Sequence, residues 1–225
     1  MPPLDTYRQP TDLPSLIPMF PLTGAILLPR ASVPLNVFEP RYLAMIDWVL
    51  AGDRIIGIIQ PEDTSEGESP QGDRLPLKKV GCAGRLTAYQ ELDDGRVMIS
   101  LSGICRFTVE TETEAEHPFR LCKANYQPFR HDFEPGAGES AVDRPGLLQT
   151  LRSYLEANNL AADWEAIANA PTELLVNSLS VISPFGPEEK QALLEAIDLK
   201  ARSEVLTALA EMELATDDRS GGQLQ

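Results

Sequence analysis

Apolar residues fall into two regimes along the chain. Up to Phe129 they come in short runs cut by proline, and after Gly146 they recur every three or four residues. In the first regime, residues 16–20 and 33–37 are brief apolar runs bounded by proline. They predict edge strands, where the missing proline N–H can face away from the ladder. "EPRYLAMIDWVLAGDR" predicts a helix opened by Pro40 and stopped by Gly52, with Leu43, Ile46, Val49 and Leu50 on one face. "RIIGIIQ" reads as a buried strand and "PEDTSEGESPQGDRLP" as an exposed acidic loop. "LKKVGCAGRLTAYQ" resumes the strands, and Asp94-Gly95 signals a type I′ hairpin. Val97, Ile99 and Leu101 then alternate with Met98 and Ser100, the two-residue period of a half-buried strand. "CRFTVETE" and "FRLCKANYQPF" supply two more. Six or seven short strands with one early helix predict a small closed barrel, because closure removes exposed edges.

The second regime is helical. Leu147, Leu148, Leu151, Tyr154 and Leu155 mark one helix, and Asp163 caps a short one that carries Trp164 and Ile167. Leu174, Leu175, Leu179 and Ile182 mark a third. Pro187, with Glu188 and Glu189 complementing the helix dipole, opens a fourth. Asp198 caps a fifth bearing Val205, Leu206, Leu209 and Met212. The expected organisation is α+β: a barrel over 13–129, a Pro- and Gly-rich linker over 130–142, a helical bundle over 143–215 and a flexible tail over 216–225.

Charge narrows the partners. The 225 residues carry 19 basic and 34 acidic side chains, a net charge of −15, which repels phosphate backbones and anionic lipid headgroups. Nucleic acid and membrane surfaces are therefore not expected as partners. The opening residues lack the basic-then-apolar pattern of a secretion signal and no stretch is long enough to span a bilayer, so the expectation is a soluble, cytoplasmic protein. Cys82, Cys105 and Cys122 are odd in number and widely spaced, as small core residues on strands would be. His117 and His131 sit in polar surroundings without a partner at ligand spacing, so neither metal nor cofactor is expected.

Several blocks carry a family resemblance: "IPMFPLTGAILLPRASVPLNVFEPRYLAMI" (17–46), "GDRIIGIIQ" (52–60), "VGCAGRL" (80–86), "DGRVMISLSGICRFTV" (94–109) and the late "GPEEKQALLEAIDLKARSEVLTAL". Together, over about residues 14–214, they resemble the N-terminal, substrate-binding domain of the Lon protease family, which also occurs in cereblon-type proteins. The resemblance implies a PUA-like β-barrel followed by an α-helical bundle subdomain. It also implies a non-enzymatic module that binds unfolded or apolar polypeptide segments, or docks onto a protease or chaperone. Longer Lon proteins continue into an ATPase with a GxxxxGK[ST] phosphate loop and a Ser-Lys protease. Neither motif occurs in this sequence: "GCAG" at 81–84 lacks the lysine, and Ser183 lacks a nucleophile-elbow frame. A PUA-like small-molecule or RNA-binding barrel is the alternative, weakened by the acidic charge.

The proline-rich stretch 20–46 offers the candidate surface. Phe20, Ile26, Leu35, Val37 and Leu43 are expected in the core. Leu28, Pro29, Val33 and Pro34 belong to the loop "LLPRASVP", and on a surface loop they would display an apolar patch for an extended peptide. The same loop could instead lie on the helical subdomain, leaving a groove between barrel and bundle as the binding surface. Glu39 is expected to accept N–H groups at the helix start and Arg41 to pair with a carboxylate, both architectural. Arg106 is assigned a structural hydrogen-bonding role.

Overall fold

The structure, a computed structural model, describes residues 6–62, 75–113, 117–157 and 163–221. Most of the acidic stretch expected as a loop, residues 63–74, lies outside the described residues. The chain divides into two compact units, Met1–Glu134 and Pro135–Gln225.

The first unit is built on six strands: β1 (Leu16–Pro21), β2 (Ser32–Val37), β3 (Ile55–Pro61), β4 (Leu77–Glu91), β5 (Val97–Thr113) and β6 (Arg120–Asn125), with helix α1 (Pro40–Ala51) between β2 and β3. Their order is β2-β5-β4-β3-β1-β6, and β6 pairs again with β5. Five strands thus close a ring, and β2 is carried outside it on β5. Closure depends on the length of β5. Residues from Val97 to Ser102 pair with β2, whereas those from Thr108 to Thr113 reach β6. The two runs expected as separate strands on either side of Gly103 are one continuous strand.

Other expectations change for local reasons. β1 is an interior strand, antiparallel to β6 and parallel to β3. It tolerates Pro18 because the parallel register begins only at Met19, so Pro18 is paired on one side alone. In the β4–β5 hairpin only Gly95 has positive φ, at 82°. The Gly95 N–H closes onto the Leu92 carbonyl and Leu92 N–H onto Arg96. This is a three-residue loop with glycine at its left-handed position, whereas type I′ needs two positive-φ residues. On α1 the buried stripe is Tyr42, Met45, Ile46 and Val49, with Leu43 and Leu50 only half-buried. Glu39 makes no side-chain cap; its carboxylate takes Arg41 instead, at 2.8–2.9 Å.

Inside the ring, Phe107 fills the centre with Ile17, Met19, Ile55, Ile59, Cys105 and Cys122. Two strand glycines make room for its ring, since a Cβ on Gly57 or Gly81 would stand 2.9 or 2.7 Å from it. Under the barrel, Arg106 and Asp132 form a buried fork: Arg106 N–H and Nε both donate to Asp132 Oδ2 at 2.9 Å, and Nη2 donates to Oδ1 at 2.8 Å. The guanidinium lies 4.4 Å from the Phe129 ring centre. Burial without a partner would be costly for either charge, so the pair fixes Gln127–Phe133, a short 3-10 segment, against β5. Residues 130–133, expected as linker, therefore belong to the first unit.

The second unit holds α2 (Arg144–Ala157), α3 (Trp164–Asn169), α4 (Thr172–Ile182), α5 (Pro187–Glu195) and α6 (Leu199–Gly221). Asp163 caps α3 by accepting Ala166 N–H at 3.0 Å, and Asp198 accepts Ala201 N–H at 2.8 Å at the start of α6. Leu147, Leu151, Leu175, Val176, Leu193, Leu194 and Leu206 are buried. The interior also holds polar residues. Arg202 donates to the Leu193 carbonyl at 2.9 Å and to Asn177 at 2.8 Å, and Lys190 Nζ donates to the Ser180 and Val181 carbonyls. Because Asn177 and Ser180 occupy the inner row of α4, Leu174 and Ile182 turn outward, contrary to the face expected from hydrophobicity. Helix α6 continues to Gly221, into the stretch expected as tail.

Candidate functional site

The Leu28 loop does not form the expected patch. Leu28 is fully buried and Pro29 is buried with it; the only exposed one of the four is Pro34, and Val33 is half-buried. The loop is drawn into the sheet. Arg30 N–H donates to the Gly103 carbonyl and Gly103 N–H to the Ala31 carbonyl, each at 2.9 Å, with Pro29 and Gly103 bridged. Such close approach requires glycine in the strand, since a Cβ on Gly103 would lie 2.0 Å from the Leu28 carbonyl oxygen. Gly84 makes the same room for Leu27. Val33 and Pro34 sit on β2, the outer strand.

A groove opens elsewhere on the barrel unit, where five elements meet. Met19 and Pro21 of β1, Arg41 and Tyr42 of α1, Pro61 of β3, Leu75 and Leu77 at the start of β4, and residues 117–120 line a cavity of about 510 Å³. His117 and Phe119 of this lining belong to an aromatic cluster whose third member, Trp48, packs on them without lining the cavity. His117 stacks on Phe119 at 5.0 Å with the rings within 6° of parallel, and Trp48 leans on both at 6.1 and 5.9 Å. Trp48 is 38% exposed and Leu75 39%, so apolar surface faces water here. Tyr42 packs its ring against Phe20 at 4.3 Å, and the Arg41 guanidinium covers it at 4.7 Å.

Both cations of the groove are already engaged. Arg41 is paired with Glu39, and Arg120 donates Nε to Glu112 at 2.8 Å and also pairs with it through Nη2. Arg120 Nη1 donates to the Leu75 carbonyl at 2.6 Å, which holds the rim at the start of β4. Among the described residues the two arginines of the lining are thus matched by carboxylates, and the lining offers shape and apolar area.

The buried thiols of the barrel lie outside this lining. The Cys122 thiol is pushed up to about 12 and that of Cys105 further up, in both cases by burial first, so neither is a thiolate near neutrality. Among the described residues no three His, Cys, Asp or Glu side chains gather at metal-binding distance. No described helix is long and apolar enough to cross a membrane. The groove itself escaped sequence reasoning because its walls come from segments up to a hundred residues apart. The available signals were Trp48, off the apolar face of α1, and the aromatic "HPF" that precedes β6.

A closed barrel with an added strand, in an α+β chain with a separate helical unit, defines the class. The chain belongs to the family described as the ATP-dependent protease La (LON) substrate-binding domain, whose model matches residues 16–211. Among similar proteins are Lon protease of Flavobacterium johnsoniae, 27% identical over 220 residues covering 93% of this chain and 26% of that protein, and Lon protease of Dictyoglomus thermophilum, 23% identical over 219 residues covering 92% and 26%. The chain thus spans about a quarter of the length of these relatives. The same fold occurs in the Lon N-terminal domain protein from Xanthomonas campestris, with a TM-score of 0.60 and 20% identity, covering 86% of this chain and 97% of that one. It occurs also in the N-terminal domain of Mycobacterium avium complex Lon protease, with a TM-score of 0.62 and 18% identity, covering 87% and 98%.

Proposed function

We propose that the barrel unit is a non-enzymatic polypeptide-binding module that takes exposed apolar segments in the groove lined by Leu75 and His117–Phe119. The observation that carries this reading is a lining in which Leu75, His117 and Pro118 are exposed over buried Tyr42 and Phe119, beside two arginines that are both satisfied by carboxylates of the same unit. Such a surface gains by burying apolar side chains and has little to offer a polyanion. Membership of a substrate-binding family supports the same reading, and a protease or chaperone that receives the bound segment is the partner it implies.

The test uses Trp48 as its own reporter. In a Trp164→Phe background the remaining tryptophan packs against the groove residues His117 and Phe119, and titration with an acetylated, amidated apolar hexapeptide should change its emission saturably. Salt should leave the affinity nearly unchanged, and Leu75→Asp, followed by NMR, should abolish binding while the protein stays folded. An unresponsive Trp48, or an affinity that falls steeply with salt, refutes the reading and favours a polyanion-binding barrel. ATP and casein turnover should stay at the buffer blank.

A further inference from the structure

A second cavity of the barrel unit, about 500 Å³, lies away from the groove, between the N-terminal segment and the junction of α1 with β3. Tyr7, Asp12, Asp53, Arg54 and Arg85 supply its polar lining. Arg85, on β4, is only 5% exposed. Its Nη1 donates to the Tyr7 hydroxyl at 2.5 Å and its guanidinium lies 5.9 Å from that ring. Those are its partners among the described residues, and no carboxylate reaches it. Guanidinium carries five N–H donors in a planar fork, and the Tyr7 hydroxyl takes one of them; no Arg85 nitrogen is both sealed from solvent and unpaired, so the remaining donors keep access to the solvent of the cavity. Compare Arg106, equally buried, whose fork is filled by Asp132.

Arg54 adds a second cation at a conformational cost. Its φ is +63°, in the left-handed region that favours glycine, and its backbone is tied on both sides, N–H to the Val49 carbonyl at 3.2 Å and carbonyl to Leu86 N–H at 2.9 Å. The chain has placed a long cationic side chain where glycine would fit without strain, and that side chain lines the same cavity as Arg85. Two acids complete the setting. Asp12 is committed to the backbone N–H groups of Arg8 and Gln9, at 2.8 and 3.1 Å, and Asp53 is exposed beside Arg54. Among the described residues two cations and two carboxylates surround the cavity, so selectivity comes from shape and not from net charge, and a planar carboxylate matches the Arg85 fork.

We propose that Arg85, with Arg54, forms a carboxylate-binding site, and that the carboxylate belongs to a polypeptide, as its C-terminal group or an acidic side chain. The polypeptide source rests on the function proposed above; the site itself does not. The experiment follows the Arg85 Nε–H resonance of the full chain by NMR while sodium acetate replaces sodium chloride at constant ionic strength. Three acetylated apolar dodecapeptides, long enough to reach from one end of β3 to the other, are then compared: one with a free C-terminus, one amidated, and one amidated with a single glutamate near its end.

Acetate should shift Arg85 saturably. One of the two carboxylate peptides should bind about ten-fold more tightly than the neutral one, the discrimination of a single charge-assisted pair. Arg85→Gln should erase that preference, and Arg54→Gly should weaken it several-fold without lowering Tm, which separates binding from folding if Arg85→Gln is unstable. The source is read from which peptide gains. An Arg85 resonance that responds to acetate no differently than to chloride, or a preference surviving both substitutions, overturns the site. Equal affinity for all three peptides overturns the polypeptide source. If no peptide binds, the groove reading fails, and the acetate response alone then decides the site.

Discussion

The buried Leu28 loop makes a quantitative prediction, because the side chain is fully enclosed and the loop is hydrogen-bonded to the middle of β5. Leu28→Ala removes about three methylene equivalents, worth ~2.4 kcal/mol at ~0.8 kcal/mol each. The cavity left behind adds to this, since Gly103 and the two hydrogen bonds around it prevent the loop from collapsing inward, and the total should reach about 3–4 kcal/mol. For a unit of this size, with a urea m-value of about 1.5 kcal/mol/M, the midpoint should fall by roughly 2 M. Urea unfolding followed by Trp48 emission in the Trp164→Phe background reports on the barrel unit alone. Met98→Ala is the control, as that side chain is 45% exposed on the outer sheet face and should cost about 0.5 kcal/mol. A Leu28→Ala midpoint no lower than that of Met98→Ala would refute the packed loop.

Three further outcomes are expected. Asp132→Ala should destabilise the barrel unit by about 3–5 kcal/mol by stranding Arg106, while Arg106→Met with Asp132→Leu should recover most of the loss; a double-mutant cycle that proves additive contradicts the fork. Asp198→Ala should cost about 1 kcal/mol through the lost cap of α6 and Asp198→Asn far less, read by urea unfolding of the helical unit. Lys190 is held at about 8 by burial, below its ordinary value, so the folded state releases this proton first. From pH 8 to 10.5 the unfolded chain then holds more protons, and stability relative to Lys190→Met should rise with pH across that window; a flat or falling difference denies the burial.

What could be read from the sequence was local. Pro40 and Gly52 bracket α1, Val97, Ile99 and Leu101 point inward, and Asp163 and Asp198 cap the helices they precede, because each of these follows from residues a few positions apart. Leu28 was misplaced because its burial depends on Gly103, seventy-five residues on, and a strand glycine does not announce what approaches it. The inner face of α4 was misjudged for a related reason: Asn177 is buried to bind Arg202, a partner that hydrophobic periodicity cannot see. Neither cavity was foreseen, since Trp48 meets Phe119, and Arg85 meets Tyr7, only after the ring closes.

That closure has a consequence for synthesis. β1 is held between β3 and β6, and β6 is about a hundred residues downstream of it. A chain made from its N-terminus therefore displays Ile17 and Met19 long before Cys122 exists to complete the core around them, and its closing contacts are among the least local the unit makes. Until residue 125 has emerged, the barrel unit is itself an exposed apolar segment of the kind its groove is proposed to bind. Nascent chains ending before β6 should thus associate with finished copies of the protein, and those ending after it should not.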